Sequence, residues 1–166
     1  MVELLNFDEY LLSRSIPVRS YDAHITGLES LTHDIRRLEI VTVEPLKFWA
    51  GQYADITVPG TGVTRSFSMA NPPSRKSRLE FIIKMYPNGA FSSLLKDTLR
   101  IDDGLQLKGP YGTCVRHENR PGPMILVGGG SGMAPLLSIL TDLVEAVNSG
   151  ACAFFTVRAR GAIYSC

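Results

Sequence analysis

Three short segments carry residue types suited to chemistry. Gly128-Gly129-Gly130-Ser131-Gly132-Met133-Ala134-Pro135 is a glycine loop between an apolar run and a helical pattern. Glycines let the backbone turn sharply and approach a ligand closely. A helix starting there offers free N–H groups and a positive dipole end to a pyrophosphate. Pro135 suits the first helical turn, where its missing N–H costs no hydrogen bond. The G-x-G-x-x-G pattern is incomplete, because its third glycine falls on Met133. A tight structural turn is the other reading of this loop. Arg65-Ser66-Phe67-Ser68 joins a guanidinium that can pair with a diphosphate, a ring that can stack on a planar group, and two hydroxyls for a ring edge. Its plain alternative is a surface strand with a solvated arginine. Gly89-Ala90-Phe91-Ser92-Ser93 opens a second helix, whose first amides can hold another anion or simply take a cap.

The elements that position these segments differ along the chain. From 21 to 110 the texture is β. Tyr21 to Leu28, Ile35 to Val41, Tyr53 to Val58, Ser66 to Ala70, Leu79 to Met85 and Leu105 to Lys108 are short runs, several rich in β-branched residues. Pro45, Gly51, Pro59-Gly60, Pro72-Pro73 and Pro87-Asn88-Gly89 separate them. This spacing predicts a small antiparallel barrel or sandwich. A helix is expected inside it from about Ser92 to Leu99, capped by Ser92 or Ser93, with Leu94, Leu95 and Leu99 inward. After Pro121-Gly122-Pro123 the texture changes. Met124 to Val127 predicts a strand, and Met133 to Val147 a helix with Leu136, Leu137, Leu140 and Val144 at helical spacing. Ala151 to Val157 predicts a second strand. That order is a βαβ unit, which implies a parallel sheet.

Composition excludes several classes. The 166 residues carry 17 Lys plus Arg and 16 Asp plus Glu, a net charge of +1. That balance argues against nucleic-acid binding by bulk electrostatics. No apolar run approaches the ~20 residues of a membrane span. The first nine residues lack the basic start and cleavage site of a signal peptide. Cys114, Cys152 and Cys166 are widely spaced and offer no zinc, iron–sulfur or other metal set. They fit a reducing, cytoplasmic setting. His24, His33 and His117 are scattered, and solvated histidine is their default reading.

Order and spacing of the motifs add to this. The chain resembles the ferredoxin–NADP reductase superfamily. Within it, the likeness is to the reductase components of bacterial multicomponent monooxygenases (propane, methane or phenol type) and of aromatic oxygenases. The resemblance covers about residues 18 to 157. It runs through Gly51-Gln52-Tyr53, Arg65-Ser66-Phe67-Ser68, Gly89 to Ser93, Gly109-Pro110-Tyr111-Gly112 and Gly128 to Pro135, in the family's order. It implies a six-stranded antiparallel FAD-binding barrel over 18–120. A partial parallel α/β NAD(P)-binding domain follows over 124–166.

Carried over position by position, Arg65 is expected to bind the FAD diphosphate. Phe67 is expected to lie on the flavin where the family more often has tyrosine, so a hydroxyl contact is lost. Ser68, the expected catalytic residue, belongs near flavin N5. Gly89, Ser92 and Ser93 are expected at the FAD phosphates, and Ser66 beside the cofactor. Gly128, Gly129, Gly130 and Gly132 are expected to cradle the NAD(P)H pyrophosphate, with Met133 and Pro135 completing the turn. The implied activity is hydride transfer from NAD(P)H to FAD. Electrons then leave singly to an iron–sulfur protein or an oxygenase hydroxylase component. A flavin reductase using free flavin and a non-catalytic flavin-binding fragment are the alternatives.

Both ends depart from the family pattern. Residues 1–17 resemble the arm that follows a ferredoxin domain, here expected to be missing. After Phe154-Phe155 the family continues Tyr-Gly-Ala-Arg, whereas this chain reads Thr156-Val157-Arg158. A nucleotide domain cut short in this way is expected to hold NAD(P)H poorly and to reduce a cluster-bearing partner slowly. One inserted base before the Thr156 codon brings back the family's residues. Sequencing the coding DNA checks this: a single insertion there should open a frame encoding more sheet, and no such frame sinks the idea.

Overall fold

Alternation of apolar and polar residues makes half-buried strands, and the strands Tyr53–Val58, Arg78–Lys84 and Gly104–Tyr111 show it in their burial. The computed structural model describes residues 16–115 and 124–146, and the backbone alone of 157–159 and 162–164. Six strands form one sheet: β1 (Arg19–Ser30), β2 (Ile35–Thr42), β3 (Tyr53–Val58), β4 (Val63–Ser68), β5 (Arg78–Lys84) and β6 (Gly104–Tyr111). Their order is β4-β3-β6-β1-β2-β5, and every pair is antiparallel. In β5 the inward positions Leu79, Phe81 and Ile83 alternate with the half-exposed Glu80 and Ile82. Inward residues of all six strands, with Leu46 and Leu95, make a single core.

The sheet curls until its two edges, β4 and β5, approach each other. They are joined at one bridge, Met69 to Phe81, and by Ala70 N–H donating to Glu80 O at 2.7 Å. Asn71 continues that seam with its side chain. Its carboxamide accepts from Glu80 N–H at 2.8 Å and donates to Arg78 O at 3.1 Å. The result is a partly closed barrel whose last rungs are side chain to backbone.

A short helix, α1 (Ala90–Ser93), runs on into a π-helical turn, Leu94–Thr98. It plugs the barrel: Phe91, Leu95 and Leu99 are buried and Leu94 is half-buried. Gly89 is its N-cap, so the helix begins ahead of the expected Ser92. The reason is local. The Ser92 hydroxyl accepts from Tyr86 N–H at 3.0 Å and fastens the preceding turn instead of capping. The fourth strand also departs from expectation, since it starts at Val63 rather than Ser66. Pairing with β3 through the Pro59–Gly62 turn extends it backward, where Gly60 and Gly62 take positive φ. Met69 keeps only its bridge.

Beyond the barrel, a 3-10 turn (Gly130–Gly132) leads into α2 (Met133–Ala146). Met124 to Val127 forms no ladder, although its residues predict a strand. Among the described residues it has no strand beside it, and Ile125 and Val127 are each 85% exposed. The other described strands, β7 (Val157–Ala159) and β8 (Ala162–Tyr164), pair with each other and antiparallel. Most of the predicted strand from Ala151 to Val157 lies outside the described residues, as do residues 1–15 of the predicted arm and His117, Cys152 and Cys166. Among the described residues, no helix is long and apolar enough to cross a membrane.

Phe81 is the largest fully buried side chain and stands at the closing bridge. Phe81→Ala should lower unfolding free energy by about 3–5 kcal/mol, since truncation leaves a cavity as well as lost burial. Urea denaturation of the two proteins measures this.

Candidate functional site

Strand periodicity sorts the four residues of the arginine motif onto two faces. Cross-strand partners share a face. Phe67 lies opposite Ala54 and Arg65 opposite Ile56, whereas Ser66 faces Asp55 and Ser68 faces Tyr53. Arg65 and Phe67 therefore point one way, and Ser66 and Ser68 the other. Phe67 is half-buried, and its ring meets Phe91 of α1 with centroids 4.9 Å apart at 54°. This contact brings β4 and the start of α1 together. Arg65 is exposed, and among the described residues it donates only to Thr64 O, at 2.7 Å. The rest of its five-donor fork faces outward.

The opposite face carries hydroxyls and rings. Ser66 Oγ donates to Asp55 Oδ1 at 2.5 Å, so that hydroxyl is already held. Ser68 is half-buried beside Tyr53, whose ring stacks on Tyr111 at 5.5 Å and 28°. Gly112 makes room for that stack, since a Cβ there would sit 3.0 Å from the Tyr53 ring. Tyr53 was legible in sequence only as part of Gly51-Gln52-Tyr53. Its place beside Ser68 follows from register, which a sequence alone does not give.

Gln52 organises this end of the barrel, and no sequence signal marked its role. Its Oε1 accepts from Trp49 N–H at 2.8 Å and its Nε2 donates to Gly112 O at 3.0 Å. Its own carbonyl accepts from Met69 N–H at 3.1 Å. One buried residue thus ties the entry to β3 and the turn after β6 by its side chain, and the exit from β4 by its backbone. Gly51 beside it has φ +99°, and a Cβ would stand 2.0 Å from Cys114 O. Only glycine fits there.

At the start of α1, the first amides have no acceptor within the helix by the geometry of any helix. Ser93 N–H is not among them, because it donates to Gly89 O at 2.8 Å. Ser93 is exposed, and the buried Ser92 hydroxyl accepts from Tyr86. Of the three residues expected at phosphates here, Gly89 donates its N–H to Tyr86 O at 3.1 Å, and Ser92 and Ser93 have the partners just named.

The glycine loop lies against β5. Gly130 has φ +57°, and a Cβ on Gly129, Gly130 or Gly132 would meet open space. Gly128 is different, since a Cβ would fall 2.6 Å from Leu136 Cδ1. Three glycines therefore form an open surface and one a close contact with the helix. Met133 and Pro135 are half-buried in the first turn of α2. The helix docks by Ala134, Ser138 and Ile139. The residues read at helical spacing lie off this docking stripe: Leu136, Leu137 and Leu140 are half-buried, and Val144 is 61% exposed. The close approach needs small residues, so the larger ones turn aside.

These features fit FAD. Among the described residues, a guanidinium with no acidic partner, a partly open ring and a glycine-capped helix start lie along one strand and the helix against it. Among the described residues, no cluster of three or more His, Cys, Asp or Glu could hold a metal ion.

Comparison with known proteins agrees. Residues 22–115 match the oxidoreductase FAD-binding domain. The reductase component of propane 2-monooxygenase from Rhodococcus jostii is 44% identical over 150 residues, covering 89% of this chain and 40% of that relative. The reductase component DmpP of phenol 2-monooxygenase from a Pseudomonas species is 34% identical, covering 90% and 43%. The crystal structure of the Amycolatopsis cytochrome P450 reductase GcoB superimposes with a TM-score of 0.74 at 36% identity, covering 79% and 41%. The chain thus spans about two-fifths of the length of the curated relatives it matches. With the matched segment running from β1 to just past β6, this chain belongs to the oxidoreductase FAD-binding domain family.

Proposed function

We propose that this chain is the flavin-bearing part of an NAD(P)H oxidoreductase. It would pass electrons from NAD(P)H through FAD to an iron–sulfur protein or an oxygenase component. The observation that carries this is the pairing of Arg65 and Phe67 on one face of β4, against the start of α1. The relatives named above are reductase components of oxygenase systems, which supports the reading. The reading implies two domains, a barrel over 18–120 and a nucleotide-binding unit from 124.

Each residue then has a task. The outward fork of Arg65 binds the diphosphate, where paired N–H donors suit two phosphate oxygens. The Phe67 ring gives the flavin a hydrophobic floor, held in place by its contact with Phe91. The amides after Gly89 take a phosphate oxygen, and Ser92 keeps that turn in shape. Ser68 presents its hydroxyl at the flavin edge, with Ser66 behind it on the same face. Bound FAD supplies the chemistry of accepting a hydride and releasing electrons one at a time. Gly129, Gly130 and Gly132 offer their backbone to the dinucleotide pyrophosphate. Gly128, Met133 and Pro135 set the turn into α2.

Two measurements test this. Arg65→Ala should weaken FAD binding by about tenfold or more, as loss of a charge-assisted hydrogen bond implies. Riboflavin, which lacks the diphosphate, should bind both proteins alike in fluorescence titrations. Equal losses for the two ligands would remove Arg65 from the diphosphate. The FAD-loaded chain should also oxidise NADH or NADPH with ferricyanide as acceptor. A chain that holds FAD yet oxidises neither is a flavin-binding module only.

A further inference from the structure

Helix α2 carries a buried hydroxyl where its neighbours are apolar. Ser138 is 0% exposed and lies between Ala134 and Ile139, at 1% and 4%. A serine inside a helix commonly bonds the carbonyl one turn back in its own helix. Ser138 instead donates to Asn71 O at 2.6 Å, sixty-seven residues away in sequence. Asn71 is 2% exposed, and its side chain holds Glu80 N–H and Arg78 O across the barrel seam. The acceptor is therefore held by bonds of its own to the barrel seam.

We infer that Ser138 is a positioning residue, which fixes where the glycine loop, lying against β5, stands relative to the strand that carries Arg65, Phe67 and Ser68. The inference rests on the function proposed above. A short rigid path joins the two. From Ser68 the chain runs through Met69, bridged to Phe81, and Ala70, bonded to Glu80, to Asn71. From Asn71 the hydrogen bond crosses to Ser138, about 9 Å along the helix axis from Gly132. Farther along the helix, Ser74 Oγ donates to Glu145 Oε2 at 2.6 Å. Those two attachment points lie about 10 Å apart along the same stripe of helix. Two points fix the direction of a rod as well as its place. The exposed second bond adds little by itself. The buried first one therefore dominates the setting of the helix. A loop held this way presents a dinucleotide to the flavin at one distance, and hydride transfer is steep in distance.

The test uses the FAD-loaded chain and Ser138→Ala, with Ser138→Thr keeping the hydroxyl. NADH and NADPH at saturation reduce the flavin anaerobically in stopped flow, and amide exchange is followed across residues 133–146. Ser138→Ala should bind FAD as the parent does and lose about ten- to a hundredfold in reduction rate per bound flavin. Its apparent nucleotide dissociation constant should change less than threefold, and amides of α2 should exchange faster while barrel amides do not. Ser138→Thr should recover most of the rate. A merely structural role would lower melting temperature and FAD content but leave the rate per flavin untouched. A parent that is reduced while Ser138→Ala matches it overturns this role alone. A parent that neither nucleotide reduces overturns the function proposed above, and this role with it.

Discussion

The carboxamide of Asn71 takes the place of a strand. A six-stranded sheet that curls without closing leaves two edges with unpaired amides and carbonyls. Here β4 and β5 come close enough for a single backbone bridge, and Asn71 supplies both a donor and an acceptor where the ladder would have continued. Because this closure is largely buried, its polar groups need partners, and both ends of the Asn71 carboxamide have them. Phe81 fills the space beneath it, and the backbone carbonyl that remains on Asn71 receives α2. Barrel closure and helix docking thus depend on one residue.

Closure also sets what the strand before it can present. With Met69 bonded to Gln52 O and bridged to Phe81, β4 cannot slide. A one-residue slip would exchange the faces and send Phe67 and Arg65 to the side of Tyr53 and Asp55. The register keeps the ring on the face where it meets Phe91. The Phe91 contact then fixes the tilt of Phe67, and Ser92 fixes the turn from which the α1 amides emerge. The affinity of the site for an anionic, planar ligand is a property of this register as much as of its residue types.

Much of this was legible in the sequence. The six strands follow from β-branched runs between glycine and proline, and the motif order points to the family that the match over 22–115 shows. What sequence reading missed has a common physical origin. Gln52, Asn71 and Ser138 act through hydrogen bonds to backbone groups distant in sequence. Such bonds leave no periodicity and no spacing. The helix start shifted from Ser92 to Ala90 because a hydroxyl found a better acceptor role outside the helix. The spacing of Leu136, Leu137, Leu140 and Val144 points to the helix that forms, but helical spacing does not name which residues meet the barrel. A barrel surface at close range takes Ala134 and Ser138, not larger side chains. Met124 to Val127 has the composition of a strand, but a strand is made by its neighbour.

The residue after Asn71 is Pro72. Asparagine ages into aspartate when the next backbone nitrogen, as N–H, attacks the side-chain carbonyl and displaces ammonia. Proline has no N–H to lose. An aspartate at 71 could still accept from Glu80 N–H but could not donate to Arg78 O, and it would bury a charge beside a carbonyl. The one side chain that closes the barrel is therefore followed by the one residue that withholds the nucleophile, and the seam is protected against chemical ageing by its own sequence.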